Sequence, residues 1–96
     1  MTIQNFKDRN AQWFFYAGFV RKTVGWANLK TIVRRKLDIL NYASQLKDLE
    51  APPGNRLEAL KADLVGFYSI RINEQWRIIF KWTETGPSEV KIIDYH

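Results

Sequence analysis

The sequence predicts an α+β domain, with two N-terminal helices packed on one face of a small antiparallel meander sheet. Three observations predict it. Trp26, Leu29, Val33, Leu37 and Leu40 step by three, four, four and three, which makes one apolar helical stripe. From Arg56 onward the apolar period changes to two, as in half-buried strands. Between these halves, Pro52, Pro53 and Gly54 break any helix.

In chain order, Thr2 to Phe6 reads as a short strand with Ile3 turned inward. AQWFFYAGF, Ala11 to Phe19, places apolar groups at Ala11, Phe14, Phe15 and Gly18, again at helical spacing, with Gly18 near the helix end. Trp26 to Ala43 is the clearest helix, free of Gly and Pro within, with Lys30, Arg34 and Asp38 turned away from its stripe. Leu46 to Asn55 forms a loop. RLEALK, Arg56 to Lys61, reads as a short strand. FYSIRI (Phe67 to Ile72), QWRIIFKW (Gln75 to Trp82) and EVKIIDY (Glu89 to Tyr95) alternate as strands. Turns are expected at Asn73-Glu74 and at Thr85-Gly86-Pro87.

A three-residue loop over Asn73 to Gln75 sets Ile72 opposite Trp76 and gathers the apolar residues on one face. The other face then carries Ser69, Arg71, Arg77, Lys81, Lys91 and Tyr95. Such a basic face is either an ordinary solvated sheet face or a surface with a task.

Length and composition narrow the class. The 96 residues fit one domain, residues 1–96, and 46% hydrophobic with 15% aromatic content is enough for one core. No apolar run approaches the roughly 20 residues of a membrane helix, and MTIQNFKDRN lacks the apolar region of a signal peptide. No cysteine is present, which excludes disulfides and thiolate metal sites. The expected location is the cytoplasm, with no membrane partner. Fifteen Lys and Arg against ten Asp and Glu give +5, a charge that fits a polyanion such as RNA or an acidic protein.

No GxGxxG or GxxxxGK[ST] stretch is present, so a nucleotide cradle is not expected. One His and no Cys give no zinc set. What remains is a metal-free and cofactor-free group of Arg, Lys, Tyr, Glu, Asp and His96. Such a group suits RNA cleavage, because the substrate brings its own 2′-OH nucleophile. Arg77 and Lys61 then stabilise charge on phosphorus, His96 moves a proton, and Tyr95 stacks on a base or shares the proton work. Each residue also has a plainer reading. His96 could be a frayed tail, Tyr95 a core flank, Arg77 a cross-strand partner of a carboxylate, and Lys61 a surface residue.

The run NRLEALKADLVGFYSIRINEQWRIIF, followed by VKIIDYH, resembles the HigB-type toxins of the RelE/ParE superfamily, the plasmid maintenance system killer proteins. The resemblance spans the whole chain in element order, and its specific motifs occupy residues 55–96. It implies a ribosome-dependent mRNA endonuclease that cuts in the ribosomal A site. It also implies a helix-turn-helix antitoxin of the HigA type. The family's lysine falls on Lys61, its arginine on Arg77, and its terminal D-Y-H on Asp94, Tyr95 and His96. Some members carry a second histidine where this chain has Glu58, which leaves the general base open between carboxylate and imidazole. Arg56 and Tyr68 are weaker candidates for RNA contact, alongside Arg71, Lys81 and Lys91 on the basic face. The alternative on the same fold is a ParE-like protein that inhibits a target such as DNA gyrase without cutting anything.

Overall fold

The computed structural model describes residues 2–95. It comprises helices α1 (Arg9–Ala17) and α2 (Lys30–Tyr42) and strands β1 (Glu58–Ala59), β2 (Tyr68–Arg71), β3 (Trp76–Thr83) and β4 (Gly86–Asp94). The strands form one sheet in the order β1-β2-β3-β4, every pair antiparallel. The expected α+β meander with helices on one face is the fold observed. None of the described helices is long and apolar enough to cross a membrane.

Asp8 starts α1. Its Oδ1 accepts from Ala11 N at 3.1 Å, while its Oδ2 accepts from Ile92 N on β4 at 3.0 Å. The helix ends at Gly18, which takes φ +73 and donates its N–H to the Phe14 carbonyl. Ala11 and Phe14 are its buried residues.

The helix expected over 26–43 is interrupted at its start. Ala27–Leu29 is a 3₁₀ turn and α2 begins at Lys30. Trp26 is the cause we identify: it is buried edge-on against Phe14, with ring centroids 5.4 Å apart, and this anchors the chain outside the helix. α2 has no side-chain N-cap. It is held instead by Val33, Leu37 and Leu40, all fully buried, each contributing about 1.5–3 kcal/mol of transfer free energy.

Lys36, three residues after Val33 and four before Leu40, flanks the apolar stripe and is also buried, although its residue type pointed to the surface. Its ammonium donates to the Oδ1 of Asn55, itself fully buried. Asn55 Nδ2 donates in turn to the Leu49 and Ala51 carbonyls at 3.2 and 3.0 Å. One amide thus ties the 46–55 loop to α2. Burial, then Arg35 and Arg71 nearby, hold the Lys36 pKa below its usual 10.5.

The N-terminal segment is less than the expected strand. Ile3 is buried, but residues 4–7 only skirt β4, with Gln4 N to Pro87 O at 2.8 Å, Lys7 N to Val90 O at 2.9 Å, and a single parallel bridge from Phe6 to Val90. A bulge prevents a full ladder. Glu89 takes φ +53 and its N–H is taken by the Asn5 side chain at 2.7 Å. Lys7 and Lys81 flank the Glu89 carboxylate at 3.3 and 3.1 Å, and with burial opposing, their hydrogen bonds hold its pKa below the ordinary range.

The β2–β3 register is the expected one, with Ile72 N donating to Trp76 O at 3.0 Å. The β3–β4 turn falls one step earlier than expected. Thr83 pairs with Gly86, so the turn is Glu84-Thr85, and Gly86 and Pro87 open β4. Thr83 Oγ1, donating to Gly86 O at 2.7 Å, closes it there. Gly86 has φ +129, and any Cβ there would strike the Thr2 carbonyl, so the position requires glycine. The RLEALK strand shrinks to Glu58–Ala59, and Lys61 has already left it to precede the 3₁₀ turn Ala62–Leu64.

The outer sheet face is not bare. Ile79 and Ser69 are fully buried on it. The Lys81 and Lys91 ammonium groups stand 5.2 and 5.9 Å from the centre of the Phe67 ring.

Asn55→Ala leaves the Lys36 ammonium and two loop carbonyls unpaired, and should cost about 2–4 kcal/mol in urea denaturation. The Glu89 pairing predicts a pH effect. Because its folded pKa is depressed, its contribution is present above the unfolded pKa, about 4.5, and is lost as pH falls through the folded value. Acid-unfolding curves of Glu89→Gln should therefore lie below those of the unsubstituted chain at neutral pH and merge with them at low pH.

Candidate functional site

On the outer face, at the end where β2 turns into β3, Arg56, Arg71, Asn73, Glu74, Arg77 and Tyr95 line a cleft of about 240 Å³. Arg71 and Arg77 sit directly opposite each other across β2 and β3. Like charges in such a pair repel; Glu58, ion-paired with Arg77, offsets part of that repulsion and Glu74 also lines the cleft.

Arg77 is the centre of the cleft. It is only 9% exposed. Its Nη1 donates to Ser69 Oγ at 2.8 Å and to the Arg56 carbonyl at 3.2 Å. Its Nη2 meets Glu58 Oε1 at 2.7 Å, and its guanidinium carbon stands 4.7 Å from the centre of the Tyr95 ring. A guanidinium held on several sides loses little freedom on binding a ligand, which is what phosphate recognition needs. Arg56 supplies its carbonyl because it takes φ +46, in the left-handed region, just after the 3₁₀ turn Pro53–Asn55.

The other expected residues divide. Tyr95 lines the cleft, whereas Asp94, paired with Trp76 at the end of β4, does not; Gln75 holds both, its carbonyl accepting from Tyr95 N at 2.6 Å and its Nε2 donating to Asp94 Oδ2 at 2.9 Å. Glu58 is the ion-pair partner of Arg77 and reaches it from β1, two strands away; the residues directly opposite Arg77 are Arg71 and Ile93. Arg56 and Arg71 line the cleft. Lys61 is exposed and does not line it. Lys81 and Lys91 share the face but lie further along it, around Phe67. Tyr68, expected as an RNA contact, is turned to the helix side, its ring 6.2 Å from Phe80 and packed on the core. Strand alternation puts it there, opposite to Ser69. His96 lies outside the described residues.

The sequence reading missed Asn73 and Glu74. Asn73 Oδ1 accepts from Gln75 N and Trp76 N at 2.9 and 2.8 Å. That bond pair fixes the turn and leaves the amide NH₂ as a donor at the cleft wall. The signal was available in an Asn opening a tight turn between two arginines.

A helix-backed meander with a cluster of arginines on its open face defines a small α+β domain suited to a polyanion. The comparisons carry this further. Residues 4–96 match the family model described as RelE-like toxin of type II toxin-antitoxin system HigB. The chain is 41% identical over 81 residues to Toxin HigB-1 of Vibrio cholerae, covering 82% of each protein. It is 34% identical over 79 residues to an uncharacterized protein of Haemophilus influenzae, covering 82% of this chain and 77% of that one. The chain therefore belongs to the HigB-like family of RelE-like toxins. It is a toxin of a type II toxin-antitoxin system, and that membership implies an antitoxin partner.

Ser69→Ala removes the buried acceptor of Arg77 Nη1. Urea denaturation should show a loss of about 1–2 kcal/mol, with the fold kept by circular dichroism.

Proposed function

We propose that the chain is an endoribonuclease that cuts mRNA in the ribosomal A site and so stops translation. The observation that carries this reading is the immobilised Arg77, with Arg56 and Arg71 beside it, at the strand end that leads into Asp94-Tyr95-His96.

The reaction follows from these groups. The ribose 2′-oxygen attacks the adjacent phosphorus, and the bond to the 5′-oxygen breaks. The 2′-proton goes to a base, and an acid protonates the leaving oxygen. Arg77, with Arg56 and Arg71, stabilises the extra negative charge on phosphorus, so the chemistry runs without a metal or a cofactor. His96 is the proton-transfer group suited to neutral pH. Tyr95 stacks on a base, and Asp94 sets the strand end through Gln75. Glu58 keeps Arg77 in place, and is free to act as base only when it leaves that ion pair. Lys61 acts as a cation next to the cleft.

Three arginines with so few positioned proton-transfer groups make a site that depends on how the RNA is presented. The ribosome supplies that orientation, which alone is worth several kcal/mol. The toxin works where ribosomes are, in the cytoplasm, and its antitoxin is of the HigA, helix-turn-helix type.

The test is cleavage of mRNA on programmed ribosomes, mapped to the nucleotide. The intact chain should cut in the A site and leave naked RNA largely whole. Arg77→Ala should lose on the order of 100-fold or more in rate, and deletion of His96 a similar factor. Growth arrest in cells without any cut would favour the gyrase-type inhibitor instead.

A further inference from the structure

α1 buries Ala11 and Phe14 but leaves large aromatic side chains in water. Trp13 is 45% exposed, Tyr16 65% and Phe19, just beyond the helix, 48%. With half-buried Phe6 and Phe15 they form two ring groups, and Trp13 of one and Tyr16 of the other line a common groove. Trp13 and Phe19 centroids are 5.1 Å apart, Phe6 and Tyr16 5.9 Å, and Phe15 and Tyr16 5.1 Å. Shallow grooves run along both sides of the helix. Arg9, Gln12, Trp13 and Tyr16 line one, and Phe14, Gly18, Lys30, Thr31 and Arg34 the other. A contiguous aromatic surface of this kind marks an interaction site.

Its charge says what fits. From Arg9 to Leu37 the chain has no Asp or Glu, while Arg9, Arg21, Lys22, Lys30, Arg34 and Arg35 all fall within that stretch. The cations sit on the aromatic surface itself. Arg21 stands 5.7 Å over the Trp13 ring, and Arg34 5.2 Å over Phe15. The rim carries an excess of positive charge, and the centre is apolar.

We propose that this α1 face is where the antitoxin docks, through an amphipathic helix with apolar side chains in the grooves and acidic residues against Arg9, Arg21 and Lys30. The inference rests on the antitoxin reading of the preceding section and names its surface. An apolar aromatic centre inside a charged rim is the anatomy of a protein interface. RNA fits less well. Phe6 and Phe15 stand edge-on to Tyr16, so these rings turn to one another instead of lying open as flat platforms for bases. The surface lies on the helix side of the sheet, opposite the Arg77 cleft, so the two can be tested separately.

The test is calorimetric titration of the full chain with the purified HigA-type antitoxin encoded beside it. Trp13→Ser/Tyr16→Ser should weaken binding on the order of 30-fold or more. Arg9→Glu/Arg21→Glu should weaken it about tenfold, mainly through slower association, and flatten its salt dependence. Arg77→Ala should bind within about twofold of the unsubstituted chain. If the double aromatic variant loses its fold by circular dichroism, Tyr16→Ser and the charge reversal decide the matter. Binding that survives the α1 substitutions but fails with Arg77→Ala would put the antitoxin on the cleft and overturn the proposal. So would α1 variants that keep the antitoxin but no longer act on ribosomes, which would assign the surface to ribosomal RNA. No binding by the unsubstituted chain would instead overturn the antitoxin reading itself.

Discussion

Arg77 organises the functional end of this molecule. A guanidinium taken almost fully out of water must find a partner for its charge and acceptors for its N–H groups. Here those partners come from three separate stretches of chain: the carbonyl of Arg56 and the side chain of Glu58 at β1, Ser69 from β2, and the Tyr95 ring beyond β4. β1 is only two residues long and makes two pairings with β2. Such a strand has little to hold it beyond what its side chains do, and the Glu58 contact supplies that. Binding chemistry and sheet construction meet in one side chain.

The sheet has two faces with different tasks. The inner face is apolar and carries the helices through Ile70, Ile78, Phe80 and Val90, all fully buried. The outer face divides along its length. At one end the Lys81 and Lys91 ammonium groups stand near the Phe67 ring; at the other the arginines open into a cleft. The resemblance of residues 55–96 to HigB-type toxins is concentrated in this second half. The helical half supplies the core, and on its outer side a surface of different chemistry.

Much of this was readable in the sequence, because periodicity reports which side of an element is covered. The stripe Trp26 to Leu40, the pairing of Ile72 with Trp76 and the basic outer face all follow from spacing alone. What spacing misses is decided by single long-range partners. Spacing puts Lys36 beside the apolar stripe, but does not show the Asn55 acceptor, nineteen residues on, that satisfies its ammonium there. Ile79 is covered although it stands on the polar face. The segment before α1 fails to form a strand because Asn5 turns to the bulge at Glu89. Of the cleft residues, Arg71, Arg77 and Tyr95 follow from alternation, which puts them on the outer face, while Arg56 was named only through the resemblance to a family. Asn73 and Glu74 required the turn itself. Tyr68 was placed by motif proximity when alternation had already sent it to the other face.

Asp8 shows how narrowly a common residue can be specified. Many side chains begin a helix well, and asparagine, serine and threonine serve as readily as aspartate. At this position both side-chain oxygens are engaged, one by Ala11 N in the helix and the other by Ile92 N in the last strand. Asparagine would turn an NH₂ group against one of those donors, and a hydroxyl has a single oxygen for two donors 81 positions apart in the chain order of Ala11 and Ile92. Only a short carboxylate offers two acceptors and no hydrogen, so one residue clasps the beginning of the domain to its end like a pin through two leaves of a hinge.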